Sequence, residues 1–167
     1  MTVELRAARA DDREDFLRLV DALADYERLD RPDPAARERL ATDAFGPRPR
    51  FDLLLALENE AAIGYALFFE TYSSFLARPT LYLEDLFVVP AARGHGAGLA
   101  LFRAVAAEAL RRDCGRMEWT VLRWNQLAID FYQRLGAVAM DEWQTYRLAG
   151  EALAGAGTDS PSAHRGS

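Results

Sequence analysis

Lysine is missing from this chain: all 20 of its basic residues are arginine. A phosphate-binding loop of the Walker type needs a lysine, so nucleotide hydrolysis of that kind is disfavoured. Cysteine occurs once, at Cys114, which rules out an internal disulfide and favours a reducing, cytoplasmic setting. With only two histidines far apart, His95 and His164, no zinc-ligand spacing exists, and no metal is expected. No stretch holds the ~18 uninterrupted apolar residues that a membrane span requires. The first residues, MTVELRAARADD, carry charge where a secretory signal needs an apolar run. Positive charge is also in deficit: the net value of −6 argues against a nucleic-acid partner and is compatible with a cationic substrate.

What is present is enough for one folded domain. The chain has 167 residues, half of them hydrophobic. Val3 to Ala8 reads as a strand. A helix capped by Asp11 runs to about Leu29, with Phe16, Leu19, Val20, Leu23 and Tyr26 on one face. Asp33-Pro34 starts a second helix that ends near Phe45-Gly46. Phe51 to Leu57 and Ala61 to Glu70 form a hairpin, and Thr71 to Pro79 a loop. Leu81 to Val89 is apolar on both faces, as a central strand is. Leu99 to Arg112 has helical spacing in Leu99, Phe102, Val105, Ala106 and Ala109. Arg116 to Leu122 is a strand and Gln126 to Leu135 a helix. Ala137 to Met140 and Trp143 to Leu148 are the last strands. The order predicts an α/β (α+β) fold: a mixed central sheet of about seven strands with helices on both faces. Residues 1–149 are read as a single domain, and 150–167, rich in Gly, Ala and Ser, as a flexible tail.

Between the central strand and the long helix lies RGHGAG, residues 93 to 98. Glycines at Gly94, Gly96 and Gly98 let the backbone approach a ligand closely. The helix that follows offers unpaired N–H groups and the positive end of its dipole. Together they suit a phosphate or pyrophosphate, with Arg93 able to add a charge-assisted contact. The alternative is a plain helix-start loop, with glycines for tight turning. The dinucleotide fingerprint fails, because its third glycine position falls on Leu99 or Leu101.

The strand carries two carboxylates, Glu84 and Asp85. Strict alternation places Glu84 with Tyr82, Leu86 and Val88, and Asp85 with Leu83 and Phe87. A carboxylate in a central strand loses hydration, which raises its pKa unless it is paired. Such a group can accept a proton near neutral pH, as attack by an amine requires. The alternative is an ion pair with an arginine such as Arg123; for Asp85, that pairing and substrate contact stand level.

Three blocks in order, YLEDLFV (82–88), RGHGAG (93–98) and WNQLAIDFYQRLGA (124–137), with LADYERL (23–29) before them, carry a family resemblance. The sequence from about residue 3 to 148 resembles the GCN5-related N-acetyltransferase superfamily. Within it, the chain is similar to the spermidine/spermine (diamine) and thialysine N-acetyltransferases. The resemblance implies an acetyl-coenzyme-A-dependent N-acetyltransferase that forms a homodimer and acts on a small primary amine. It makes the loop Arg93, Gly94, His95, Gly96, Ala97, Gly98 and the helix start at Leu99 the coenzyme-A site. Leu86, Phe87 and Val88 would add contacts through their backbone, as would Asn125 and Ala128. It implies Glu84 as the catalytic base. Tyr132, whose phenol is protonated at neutral pH, would be the acid that protonates the departing thiolate and a further coenzyme contact. Read from the residues alone, Tyr132 is an ordinary helical aromatic with its hydroxyl at the surface. Substrate positions carried over are Tyr26, Glu27, Glu84, Asp85, Trp119, Thr120 and Tyr146.

The match has gaps. The loop TYSSFLARPT has no acid between Glu70 and Glu84, and Gln144 stands where the family can place a glutamate. Fewer acids weaken recognition of distal ammonium groups, so a thialysine-like amine is at least as plausible a substrate as spermidine. Two other functions fit the loop. One is a non-catalytic coenzyme-A-binding module, which does not need Glu84 or Tyr132. The other is an acetyltransferase for protein or peptide amines, which needs an open groove.

Overall fold

The computed structural model describes residues 2–158. The chain divides into two compact units, Met1–Trp124 and Asn125–Ser167.

The first unit is built on a five-stranded sheet in the order β1-β2-β3-β4-β5. Its strands are β1 (Glu4–Ala7), β2 (Asp52–Glu58), β3 (Ala61–Ser73), β4 (Arg78–Val88) and β5 (Arg116–Glu118). The first four pair antiparallel; β5 joins β4 in parallel. Helices α1 (Arg13–Glu27), α2 (Pro34–Phe45) and α3 (Ala97–Arg111) complete the unit.

Local chemistry sets most boundaries. Asp33 caps α2 by accepting the Ala36 N–H at 2.8 Å, with Pro34 as the first helical residue, where its missing N–H costs nothing. Arg28, at φ 60°, ends α1. The start of α1 departs from the sequence reading, because the buried acid is Asp12 and not Asp11. Asp12 accepts the Arg9 N–H at 2.7 Å and both guanidinium nitrogens of Arg6 at 2.7 and 2.8 Å, tying β1 to the helix entry. That pairing lowers the Asp12 pKa, with the Arg6 hydrogen bonds as the main cause.

Two apolar clusters fill the two faces of the sheet. On one, α3 buries Ala97, Leu101, Val105 and Ala109 against Ala66, Phe68, Leu81, Leu83 and Val88. On the other, α1 buries Phe16 and Leu19 against Leu55, Tyr65, Leu67 and Phe87. Phe16 and Leu101 are fully buried, each contributing about 1.5–3 kcal/mol of burial free energy.

The mixed sheet with helices on both faces matches the sequence reading; its strand count does not. Among the described residues the sheet has five strands, not about seven. β5 stops at Glu118 instead of Leu122, and β3 and β4 run on to Ser73 and back from Arg78, where a loop was expected. Residues 137–149 contain no strand. The apolar residues Trp143, Tyr146 and Leu148 are not in step with a two-residue period, so the pattern there was weak.

In the second unit, α4 (Gln126–Arg134) is capped by Asn125, whose Oδ1 accepts the Ala128 N–H at 3.2 Å. Gly136 follows it at φ 88°. A short helix, α5, covers Gly150–Gly157, within the stretch read as a tail; residues 159–167 of that stretch lie outside the described residues. No helix among the described residues is long and apolar enough to cross a membrane.

Candidate active site

The site centres on an irregularity in β4. Leu67 pairs with Asp85 and the next residue, Phe68, with Leu83, so Glu84 is skipped. A bulge of this kind adds one residue and reverses the alternation beyond it. Leu81 and Leu83 therefore face α3 together with Leu86 and Val88. Phe87 faces α1, and Asp85 reaches Tyr65 of that cluster. The grouping read from strict alternation is corrected: Leu83 is not on the face of Asp85 and Phe87.

The bulge also separates the two carboxylates chemically. Glu84 is exposed. The desolvation expected of a central-strand acid therefore falls on its neighbour. Asp85 is half-buried, and burial pushes its carboxyl up to about 6. The like charges of Glu84 and Glu27 add to the rise, and a hydrogen bond from the Tyr65 hydroxyl, 2.9 Å from Oδ2, opposes it. The Asp85 partner is thus a phenol. Tyr65 itself is fully buried, and its own pKa is driven well up, first by burial and then by Asp85. Glu27, near the end of α1, is half-buried and also raised, by burial and by Glu84. Glu27, Glu84 and Asp85 thus form one interacting group of three acids.

Around them is an aromatic wall. The Tyr26 ring lies 6.2 Å from Phe87 and 6.0 Å from Trp124, and the Arg28 guanidinium covers Trp124 at 4.6 Å. Arg93 closes the wall: its Nε donates to the Val88 carbonyl at 3.0 Å, and its guanidinium sits 4.4 Å from the Tyr26 ring centre. Arg93 therefore links the glycine loop to the acidic side of the site.

β4 leads within a few residues to that loop. Gly94 and Gly96 hold φ of 87° and 84°, a region side-chain-bearing residues rarely enter, and a Cβ at either would project into open space. Gly96 is the N-cap of α3, and the first in-helix bond runs from Ala100 N–H to the Gly96 carbonyl. The amides of Ala97, Gly98 and Leu99 precede that bond and have no partner within the helix. The His95 Nδ1 lies 4.0 Å from Glu58 Oε1.

The other residues picked from sequence have surroundings of their own. Trp119 packs edge-on against Phe102, 5.4 Å between ring centres, and lies with the α3-side cluster, away from Asp85 and Tyr65. Thr120 is exposed. Asn125, Ala128, Tyr132 and Tyr146 belong to the second unit. There the Tyr132 ring meets Phe131 edge-on, 5.3 Å between ring centres, and Tyr146 is exposed, its hydroxyl 3.4 Å from Gln144 Oε1. Sequence reasoning missed Tyr65. The one usable signal was a tyrosine inside the apolar run AAIGYALFF, whose buried hydroxyl must find a partner.

Comparison with known proteins shows the family of the chain. The model of the acetyltransferase (GNAT) family matches residues 16–137. The chain belongs to that family. This acetyltransferase is 34% identical over 163 residues to thialysine N-epsilon-acetyltransferase of Mus musculus, covering 91% of this chain and 95% of the mouse protein. It is 43% identical over 97 residues to L-ornithine N5-acetyltransferase NATA1 of Arabidopsis thaliana, 58% of this chain and 42% of that one. Among solved structures, an integron cassette protein from V. cholerae superposes with a TM-score of 0.79 at 27% identity, covering 93% of this chain and 98% of the other.

Proposed function

We propose that this acetyltransferase moves an acetyl group from acetyl-coenzyme A to a primary amine of a small molecule: a polyamine, a diamine or a thialysine-like amine. Transfer is direct, in a ternary complex, within one catalytic domain spanning residues 1–149. The observation that carries the substrate class is the group of three acids, Glu27, Glu84 and Asp85, walled by Tyr26, Phe87 and Trp124. Grouped carboxylates suit an ammonium ion by charge. The relatives' names, for thialysine and ornithine, support the same class.

The residues present fit acetyl-coenzyme A. Positive φ at Gly94 and Gly96, open space where their Cβ atoms would be, and the free amides at the start of α3 suit a diphosphate. Bound there, the coenzyme supplies the thioester. The backbone of Leu86, Phe87 and Val88, with the loop to Leu99 and Asn125 and Ala128, would hold it. An N–H near Leu86 would stabilise negative charge on the carbonyl oxygen. Glu84 withdraws a proton from the ammonium, which frees the nitrogen lone pair for attack. By the family resemblance, Tyr132 would be the residue that supplies a proton to the coenzyme's thiolate. Three acids are few for a long polycation, which favours a single-amine substrate of the thialysine type over spermidine. The same reading includes a cytoplasmic homodimer.

The test is release of free thiol from acetyl-coenzyme A with spermidine, putrescine, thialysine and aminoglycosides as acceptors. Acetylation of at least one, with thialysine turned over at least as well as spermidine, is expected. Coenzyme binding without transfer to any amine would favour the non-catalytic module, and transfer to peptides alone the protein acetyltransferase.

A further inference from the structure

The three acids do not have equal surroundings, and the difference assigns them different work. Glu84 stands out of the ladder at the bulge and faces water. Asp85 is turned back towards α1, where the Tyr65 hydroxyl meets its Oδ2 at 2.9 Å. Tyr65 cannot easily turn away. It is fully buried in β3, and the equally buried Phe16 presses on it edge-on, 5.6 Å between ring centres at 79°. A buried phenol fixed in this way holds a carboxylate in one orientation and occupies one of its oxygens.

We infer that Asp85, held by Tyr65, is where the proton of the substrate ammonium comes to rest, and that Tyr65 is a positioning residue for the transfer. The inference rests on the amine-acetyltransferase reading above and adds to it the destination of the proton. In the step, the ammonium N–H bond breaks and its electron pair stays on nitrogen. The proton, passed by Glu84, forms an O–H bond at Asp85 Oδ1, the oxygen that Tyr65 does not hold.

Charge balance supports this division. The groups acting on Asp85 are Tyr65 from β3, Glu27 from α1 and Glu84 on its own strand, two of them anions. An arriving ammonium offsets their repulsion and keeps Asp85 ionised. Once the proton has moved, both the amine and Asp85 are neutral. Burial and like charge raise the Asp85 carboxyl from 3.8 to about 6, which makes it about 100-fold the stronger proton acceptor compared with a hydrated aspartate. A group poised there accepts a proton and can still return it to solvent near neutral pH.

The experiment is kcat/KM against pH, with saturating acetyl-coenzyme A and an amine the wild type accepts, for wild type, Asp85→Asn, Tyr65→Phe and Glu84→Gln. The wild type should lose activity on the acid side at about pH 6, as Asp85 becomes protonated. Tyr65→Phe removes the hydrogen bond that lowers the Asp85 pKa, so its acid limb should move to higher pH. Glu84→Gln removes both the carboxylate that passes the proton and a like charge that raises the Asp85 pKa, so turnover should fall and the acid limb of the remaining activity should move to lower pH. Asp85→Asn should lose about 100-fold at pH 7 and recover as the pH nears the amine's own pKa, where free amine arrives without needing a base. Coenzyme A binding by calorimetry should be unchanged in all three, which separates this effect from misfolding. Asp85→Asn within threefold of wild type at pH 7, or an unmoved limb in Tyr65→Phe, overturns the inference and leaves the amine reading standing. A wild type that releases no thiol with any amine overturns both.

Discussion

Gly64 offers the sharpest test of how the sheet supports the site. It lies on β3 opposite Val88, the last residue of β4 before the chain turns towards the glycine loop. A Cβ placed on Gly64 would meet the Phe87 carbonyl oxygen at 2.5 Å, Val88 Cγ2 at 3.0 Å and Val88 Cα at 3.2 Å, where ordinary contact begins at 3.4 Å. Two of these three atoms are backbone, so no rotamer change relieves the clash. Gly64→Ala should therefore cost about 1–3 kcal/mol in overpacking. Against this stands about 0.5–1 kcal/mol from the reduced entropy of the unfolded chain. The difference is about 0–2.5 kcal/mol, and its midpoint of about 1 kcal/mol predicts a fall in Tm of about 2–4 °C for a protein of this size. Calorimetric titration of coenzyme A then tells which strand yields. If β4 moves, Phe87 and Val88 are displaced and affinity falls; if β3 moves, stability falls and affinity holds. Gly155→Ala is the control, because a Cβ there meets nothing within 4 Å, and its Tm should not fall. A Gly64→Ala protein as stable as wild type would refute the reasoning that close β3–β4 backbone approach requires glycine.

Further outcomes follow from other residues. Tyr132→Phe should lower kcat by about 10²–10⁴-fold with little change in coenzyme affinity; equal turnover would remove its assigned role as acid. Asp12→Ala strips Arg6 and the Arg9 N–H of a buried acceptor and should cost about 2–3 kcal/mol in urea unfolding. Glu108, held by Arg111 and Arg112, has its carboxyl lowered to about 2. A depressed folded pKa means its contribution is complete above pH ~4.5 and fades as pH falls towards about 2. Because the group is near the surface, the effect should stay below about 1 kcal/mol, and Glu108→Gln should flatten stability across that window. Arg93→Ala removes the guanidinium from Tyr26 and Val88; it should raise the amine KM as well as weaken coenzyme binding, whereas a purely phosphate-binding arginine would change only the latter.

The sequence alone determined the features that depend on near neighbours. Asp33 with Pro34, and Asn125 before Gln126, cap helices through bonds spanning three residues, and both caps are present. The helical spacing of Leu99, Phe102, Val105, Ala106 and Ala109 marked α3 as a helix with one apolar side; Val105 and Ala109 of that set are buried, while the fully buried Leu101 lay outside it. Gly94 and Gly96 marked positions of positive φ, since few other residues tolerate it. The family was legible for a related reason: its motifs are contiguous blocks. Tertiary structure decided the rest. The bulge at Glu84 depends on how β3 and β4 register, which no period within β4 records, and it reversed the facing of every residue before it relative to those after. The same register brings Asp85 to the hydroxyl of Tyr65, a residue 20 positions away, and leaves Glu84 in water. Trp119 joined Phe102 on the α3 face, and Arg93 folded back on Tyr26, because aromatic and cationic partners far apart in the chain became neighbours. Desolvation and charge repulsion act through space, so the chemical difference between two adjacent carboxylates appears only once the sheet has formed.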